Sequence, residues 1–243
     1  MAIVAISGYS TAGKTHAAHT LPELQFCQLV SVTTREQRPG EFPGLDYDYI
    51  DDLAFDQLID NDDIIEQVFY CGFRYGLRKS TLQQVLSKEI IPCHVCTPDG
   101  VEALREFAIA NNETFISAFV EADIPTILHR MIKRWQTMPR IDIEYLADRI
   151  ATAISIESQW TGNYHFIAEN SDELISTAQN ILDCCTGKTL TPNVMSRKPK
   201  PLEYSYENTL DQIVHFLGRH KRPTNPEASR DITSKLIIDL FHR

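Results

Sequence analysis

The sequence predicts an α/β fold in which a mostly parallel sheet is flanked by helices. Short apolar runs bounded by turn residues predict buried strands, and helical patterns lie between most of them. Strands that alternate with helices form largely parallel sheets. The predicted strands are residues 2–6, 26–33, 90–96, 114–120 and 164–168. The first predicted helix begins at Lys14 and ends before Pro22. The other predicted helices are residues 80–88, 98–111, 124–135, 143–160 and 171–184.

The composition of the chain changes after Cys185, which indicates a domain of residues 1–185. Residues 186–205 contain three prolines and indicate a linker. Residues 206–243 carry two amphipathic patterns, one around Leu210 to Leu217 and one that follows Pro226. We therefore expect a C-terminal helical extension that packs on the domain or joins two copies of the chain as a homodimer.

Charge and cysteine content limit the partners and the setting. A net charge of −10 disfavours nucleic acid, which is usually bound by a basic field. No apolar run reaches the roughly 18–20 residues that span a bilayer, and the N-terminus lacks the basic region of a signal peptide. The scattered cysteines do not suggest a disulfide framework, and Cys93 and Cys96 would face opposite sides of a strand rather than share a metal. We expect a cytoplasmic protein without a membrane partner.

A glycine-rich phosphate loop follows the first predicted strand. Residues 8–15 read GYSTAGKT, which fits the pattern G-x-x-x-x-G-K-[ST] between a strand and a helix. Backbone N–H groups in such a loop cradle phosphates, the lysine neutralises them and the hydroxyl ligates Mg²⁺. The sequence therefore predicts ATP and Mg²⁺ as cofactors, with Thr15 as the metal ligand. The predicted ATP-binding residues of the loop are Gly8, Ser10, Thr11, Ala12, Gly13, Lys14 and Thr15.

The next segments resemble the guanylate kinase family. Residues 31–41 read SVTTREQRPGE, residues 44–47 read GLDY, and Glu66 is followed by GFRYG at residues 72–76. In that family these motifs form the acceptor-nucleotide site, and the resemblance covers residues 1–185. It implies a P-loop kinase fold with a small nucleotide-binding insertion at residues 31–82 and a helical lid at about residues 126–150. The implied activity is transfer of the γ-phosphoryl group of ATP to a nucleoside monophosphate.

The resemblance also assigns roles to individual residues. Arg35 and Arg38 offer bidentate donors to the acceptor phosphate, as guanidinium groups do, and Tyr47 and Tyr75 add neutral donors. Ser31 begins the same motif, and Glu66 is implied to bind the base. Lys14 and Arg35 are the implied catalytic residues, together with the lid arginines Arg134 and Arg149. Arg130 lies on the same predicted helices as these two lid arginines, and Arg140 could take the place of either of them. Asn170 is implied to lie beside the adenine of ATP.

Two base-contacting positions depart from the family pattern. The family's serine or threonine after the Tyr-Gly pair is Leu77 here, and its Asp-x-Asp pair is Val95-Cys96-Thr97. A guanine edge that faces leucine would lose a hydrogen bond, whereas Leu77 suits a carbon substituent such as the methyl group of thymine. The sequence therefore predicts that at least one nucleotide besides GMP and dGMP is accepted, with dTMP or a modified pyrimidine nucleotide as the best candidate, and that Leu77 and Thr97 contact the base.

Two alternatives to this kinase remain at the level of sequence. The same fold could phosphorylate another acceptor, such as a ribose bisphosphate or a modified DNA base; Glu66, Tyr75 and the acidic charge disfavour these. The chain could also be a non-catalytic interaction module like the guanylate kinase-like domains of scaffold proteins. The intact Lys14-Thr15 pair disfavours that alternative, because such domains generally have damaged phosphate loops.

Overall fold

The computed structural model describes residues 1–20, 25–38, 40–70, 72–136, 149, 157, 160, 162–189 and 198–200. The chain divides into two compact units. The first comprises Met1–Gly8, Ala12–Glu121 and Thr161–Pro199, and the second comprises Tyr9–Thr11, Ala122–Trp160 and Lys200–Arg243. The predicted C-terminal extension at residues 206–243 lies outside the described residues, as do most of the predicted linker and most of the predicted helix at residues 143–160. The homodimer that we expected through the extension stays a prediction.

A five-stranded parallel sheet forms the centre of the first unit and confirms the predicted α/β fold. Its strands are β1 (Ala2–Gly8), β2 (Phe26–Gln28), β7 (Ile91–Val95), β8 (Thr114–Val120) and β9 (Phe166–Ala168), in the order β2-β7-β1-β8-β9. Every residue of the central strand β1 is buried, which explains why its sequence is an unbroken apolar run. The parallel register brings the carboxyl ends of β1, β7 and β8 to one edge of the sheet.

Four helices of the first unit each follow a strand and surround the five-stranded sheet. They are α1 (Lys14–Thr20), α3 (Lys79–Leu86), α4 (Pro98–Ala110) and α6 (Ser171–Cys185). The start of α4 is set by its first residues: Thr97 caps the helix with its side chain, and Pro98 suits the first turn because its missing N–H has no partner there. Helix α4 packs against β1 and β8, and also against β5 (Ile64–Tyr70) of a second sheet.

The second sheet of this unit has four strands in the order β4-β3-β6-β5. These are β3 (Ser31–Thr33), β4 (Tyr47–Tyr49), β5 and β6 (Phe73–Arg78). The single strand predicted at residues 26–33 is therefore wrong, because β2 and β3 belong to different sheets. Leu29 still donates its N–H to Cys93 in the first sheet at 2.8 Å, whereas Val32 pairs with Gly76 in the second. Phe26 and Val32 are both buried, so the apolar run alone does not reveal the break.

Helix α2 (Asp52–Asp60) packs against the second sheet. No helix or strand was predicted from the sequence in this region. The Asp51 carboxylate accepts the N–H of Ala54 at 2.7 Å and so begins the helix. Phe55 of α2 is fully buried, and a Cβ atom at Gly76 would lie 3.1 Å from its ring. The glycine of the Tyr75-Gly76 pair therefore leaves room for the helix against β6.

The described part of the second unit contains helix α5 (Ile124–Gln136), which confirms the helix predicted at residues 124–135. The Asp123 carboxylate accepts the N–H of Thr126 at 2.8 Å near its start. Ile127 and Met131 are buried one turn apart, as expected for one apolar face. Among the residues that the structure describes, no helix is long and apolar enough to cross a membrane.

A buried histidine joins β8 to the segment before β9 in the first unit. Ser117 donates its backbone N–H to Nδ1 of His165 at 2.9 Å, so Nδ1 is an acceptor and the ring is neutral. Burial, helped by the charge of Arg105, lowers the pKa of His165 to about 4. Protonation would remove the acceptor and place a charge in the core.

We predict that acidification destabilises the chain through His165. The unfolded histidine takes up a proton near pH 6.5 and the folded one only near pH 4, so stability is lost as pH falls between these values. By pH 5 this loss should be about 2 kcal/mol. The measurement is the free energy of unfolding from urea titrations at pH 7 and pH 5.

The variant His165→Asn keeps an acceptor for Ser117 but cannot titrate, so it should lose less stability than the wild type over this pH range. His129→Asn, on an exposed position of α5, serves as the control and should behave as the wild type. An equal loss in His165→Asn and the wild type would contradict the prediction.

Candidate active site

The phosphate loop lies between β1 and α1, where the sequence predicted it. Its shape needs left-handed backbone at Gly8, Thr11 and Gly13, which have φ values of 147°, 58° and 107°. A Cβ atom at Gly8 would overlap the carbonyl oxygen of Val120 on the neighbouring strand. Glycine is therefore required at Gly8 both for the backbone angle and for the close approach of β8.

The lysine and threonine that close the loop occupy the first turn of α1. The Lys14 ammonium donates to the carbonyl oxygen of Gly8 at 2.6 Å, so its charge lies over the loop. Thr15 is exposed, which leaves its hydroxyl accessible to a metal ion. An ammonium held over a ring of backbone N–H groups is an arrangement that binds phosphate.

The first half of the loop is held within the second unit by a glutamate that the sequence analysis did not identify. Glu157 is fully buried, and its carboxylate accepts the backbone N–H of Ser10 at 2.6 Å and also the Ser10 hydroxyl. Thr11 donates its hydroxyl to the carbonyl oxygen of Ile127 on α5 at 3.1 Å. Ser10 and Thr11 thus have bonds that shape the loop, and their predicted contact with ATP stays a prediction.

Two of the arginines noted in the sequence reach the same part of the loop. Arg130 on α5 donates to the carbonyl oxygen of Thr11 at 3.0 Å, and Arg149 donates to the Ser10 hydroxyl at 3.2 Å. Arg134 lies on α5, but its side chain is outside the described part of the structure, and so is Arg140. Arg130 was noted in the sequence without a role, and the structure brings it to the phosphate loop.

The four predicted phosphate ligands of the acceptor come together in the second sheet of the first unit. The guanidinium of Arg35 lies 5.2 Å from the ring centre of Tyr47, and the rings of Tyr47 and Tyr75 are 5.7 Å apart. Ser31 pairs with Tyr47 in the parallel register of β3 and β4. The strand pairing therefore gathers residues that are up to 44 positions apart in the sequence into one cluster.

Glu41 holds this cluster together, although the sequence analysis gave it no role of its own. One nitrogen of Arg35 donates to both of its carboxylate oxygens at 2.9 Å. The backbone N–H of Arg38 donates to the same carboxylate at 3.0 Å, and the Tyr49 hydroxyl donates at 2.8 Å. The guanidinium of Arg38 lies 3.8 Å from it. Both arginines are thus fixed at one end by a single carboxylate.

The charges of this cluster depend on one another. Burial alone would raise the pKa of Glu41, but the Arg38 N–H, the Tyr49 hydroxyl and the Arg35 guanidinium outweigh it, and the pKa lies below its usual range. Burial likewise opposes the charge of Arg35, yet Glu41 raises its pKa. The pKa of Tyr49 is raised by burial and by its bond to Glu41, so its hydroxyl stays a donor. The cluster keeps a negative Glu41 and positive arginines at neutral pH.

The predicted base-binding residues lie at the contact between β5, β6 and β7. Glu66 is buried, with its Oε1 atom 3.2 Å from Nε2 of His94 on β7. Leu77 is paired directly opposite Glu66 in the antiparallel register, so both side chains are on one face of the sheet. The exposed fraction of Leu77 is 0%, and its methyl groups do not reach the surface.

Two other predicted ligands act as helix caps. The Thr97 side chain accepts the N–H of Gly100 at 3.3 Å at the start of α4. The Asn170 side chain accepts the N–H of Glu173 at 2.9 Å at the start of α6. Capping explains both residues without a ligand, and their proposed contacts with the base and with adenine stay predictions.

A phosphate loop for a nucleotide donor and a paired-arginine site for a phosphorylated acceptor define a class of phosphotransferases, the P-loop nucleoside monophosphate kinases. Comparison with known proteins identifies the family within this class. The chain belongs to the guanylate kinase family, whose model matches residues 1–183. This assignment confirms the resemblance seen in the sequence, and it does not support the alternative of a non-catalytic module.

Guanylate kinases of several bacteria are similar to the chain. A guanylate kinase of Mycoplasma mycoides is 27% identical over 250 residues, covering 97% of this chain and 81% of the relative. A guanylate kinase of Chlamydia trachomatis is 30% identical over 178 residues, covering 72% of this chain and 82% of the relative. The crystal structure of a guanylate kinase from Anaplasma phagocytophilum shares the fold, with a TM-score of 0.52, 22% identity and coverage of 86% of this chain and 93% of that one.

We predict that Glu41→Gln weakens the acceptor site without affecting ATP. The amide cannot accept from Arg35, Arg38 and Tyr49 together, so both arginines lose their common anchor. The KM for the acceptor should rise about tenfold, which corresponds to about 1.4 kcal/mol, while the KM for ATP should stay within about twofold.

The two KM values are measured by steady-state kinetics, with the concentration of each substrate varied in turn. The matched control is Glu36→Gln, an exposed glutamate of the same loop. An acceptor KM equal to that of the wild type in a folded Glu41→Gln protein would show that the carboxylate does not organise the site.

Proposed function

We propose that the chain is a guanylate kinase in activity as well as in family, transferring the γ-phosphoryl group of ATP to GMP or dGMP. The observation that carries this proposal is the cluster in which Glu41 holds Arg35 and Arg38 beside Tyr47 and Tyr75. A dianionic phosphate matches two guanidinium groups beside two tyrosine hydroxyls, and the guanidinium of Arg35 is fixed by Glu41. The relatives named above carry the name of this activity.

Phosphoryl transfer depends on positioning and on neutralising charge. Lys14 and the backbone N–H groups from Ala12 to Thr15 would bind the phosphates of ATP, and Arg35 would bind the acceptor phosphate. Mg²⁺ would be held by the Thr15 hydroxyl, whose exposure fits this role, together with oxygens of ATP and water. When bound, the metal supplies positive charge to the transferring group. Arg134 and Arg149 are proposed as the lid arginines, and Asn170 as the contact for adenine.

Guanine is the base that this site supports best. Glu66 presents a carboxylate, which can accept from N1–H and from the 2-amino group of guanine. The expectation that the site also accepts dTMP or a modified pyrimidine has no support from the relatives reported above, which are named guanylate kinases. That expectation relied on Leu77, and a side chain with 0% exposure offers no surface for a thymine methyl group.

The acceptor is tested by comparing kcat/KM across GMP, dGMP, dTMP, the remaining nucleoside monophosphates and ribose 1,5-bisphosphate. GMP and dGMP should exceed dTMP by at least about 100-fold, since a buried carboxylate rejects bases that leave it unpaired. A kcat/KM for dTMP or ribose 1,5-bisphosphate equal to that for GMP would overturn the proposed acceptor.

We predict that Lys14→Ala reduces kcat by at least about 100-fold, because the lysine acts on charge at the transferring phosphates. The chain should remain folded, since Lys14 is only partly buried and lies near the helix start, where it donates to the carbonyl oxygen of Gly8. Circular dichroism checks that the variant is folded, and a coupled ADP-release assay measures its kcat.

The control for this prediction is Lys88→Ala, an exposed lysine of the same unit that should keep wild-type activity. Full activity in a folded Lys14→Ala protein would remove the phosphate loop from the proposed reaction.

A further inference from the structure

His94 is a buried polar residue whose contacts lie at the base-reading carboxylate. It sits on β7 beside Ala5 of β1, in the middle of the parallel sheet, and its side chain is 1% exposed. Its Nε2 atom lies 3.2 Å from Oε1 of Glu66. A carboxylate oxygen accepts hydrogen bonds, so the tautomer of His94 that carries its proton on Nε2 donates to Oε1. The bond links the first sheet to β5 of the second sheet.

The other ring nitrogen of His94 shows that this is not an ordinary core residue. Nδ1 is buried and has no hydrogen-bond partner among the residues that the structure describes. An apolar side chain at this position would avoid that cost. The histidine keeps one buried acceptor unpaired and gains a single bond, the one to Glu66.

The second oxygen of Glu66 is confined on its other side by α4. A Cβ atom at Gly100 would lie 3.0 Å from Oε2 of Glu66 and 2.8 Å from the Cβ atom of Cys96. Glycine at this position therefore lets the helix approach the carboxylate. His94 lies at Oε1 and the first turn of α4 lies beside Oε2, so the carboxylate has a close neighbour on each side.

The strand end beside this carboxylate offers no second acidic group. Residues 95–97 are Val95, Cys96 and Thr97, and the Thr97 side chain caps α4. Burial and the nearby Glu66 charge raise the pKa of Cys96, so its thiol stays protonated. Residues 95–97 therefore add no second carboxylate beside Glu66, whose orientation decides which base edge it can bind.

We propose that His94 is a positioning residue for base recognition, which fixes the Glu66 carboxylate through its Nε2–H so that the carboxylate accepts from the N–H edge of guanine. This inference rests on the proposed function and deepens it. It predicts that specificity for the 2-amino group of guanine depends on a residue that does not itself contact the nucleotide.

The test compares His94→Leu and His94→Gln by kinetics with GMP and IMP, which lacks the 2-amino group. Leucine fills the space without a donor, so kcat/KM for GMP should fall about tenfold and the preference for GMP over IMP should shrink at least fivefold. The amide of glutamine can donate to Glu66, so His94→Gln should recover most of the preference. The KM for ATP should change by less than twofold in both variants.

Cys93→Ala supplies the matched control. Cys93 is buried on the same strand, and adjacent residues of a strand face opposite sides, so this variant should keep the wild-type preference. A loss of preference in Cys93→Ala equal to that in His94→Leu would mean that any disturbance of β7 has this effect, and it would overturn the inference.

A double-mutant cycle with Glu66→Gln separates positioning from packing. If His94 acts through Glu66, His94→Leu should change kcat/KM for GMP less than twofold in the Glu66→Gln background. The same tenfold loss in both backgrounds, or an equal loss with GMP and IMP, would show that His94 serves only the stability of the fold.

The proposed function and this inference fail in different ways. Wild-type protein that does not phosphorylate GMP contradicts the proposed function before any variant is made. The double-mutant cycle of His94 and Glu66 is then measured with the nucleotide that the protein does phosphorylate. Coupling between the two residues supports the positioning role, and its absence overturns that role.

Discussion

The interaction on which the acceptor site depends is the bond between Glu41 and Arg35. Two arginines that approach one phosphate repel each other, and long side chains lose entropy when they are fixed. Glu41 removes both difficulties, because it accepts from Arg35 at 2.9 Å and from the backbone of Arg38 at 3.0 Å. Its negative charge offsets one of the two positive charges. The site thus gives up part of its attraction for phosphate and gains a fixed geometry, which is what transfer between two phosphates requires.

A buried carboxylate has the same role in the donor site. Glu157 accepts both the N–H and the hydroxyl of Ser10, and so fixes the first half of the phosphate loop. Gly8 fixes the start of the loop through its close approach to Val120. In the phosphate loop and in the arginine cluster, then, a negative side chain fixes hydrogen-bond donors. This arrangement is stable because each carboxylate is paired with several donors.

The parts of this fold that follow local rules were predictable from the sequence. The run at residues 114–120 is the strand β8 (Thr114–Val120) without correction, and Thr97-Pro98 marks the start of α4. The phosphate loop has a fixed spacing between a strand and a helix, whereas Arg35 and Arg38 were assigned by their resemblance to a family motif, and their roles stay predictions. The break between β2 and β3 was not predictable, because both strands are apolar and the difference lies in their partners. Glu157 belongs to no local pattern, and its role exists only through the contact with Ser10.

The base site shows why a substitution at a motif position cannot be interpreted alone. Leucine in place of a hydroxyl suggested a methyl-binding pocket, yet packing removes Leu77 from the surface entirely. The more informative residue is His94, which belongs to no motif and looks like one more residue of a buried strand. Its meaning comes from a contact of 3.2 Å with Glu66, a residue 28 positions earlier on another sheet. Pairing between sheets depends on the whole fold, so a polar residue inside an apolar strand is best judged by its partner across that contact. By that criterion, the contact between Nε2 and Glu66 is the observation on which the proposed positioning role of His94 rests.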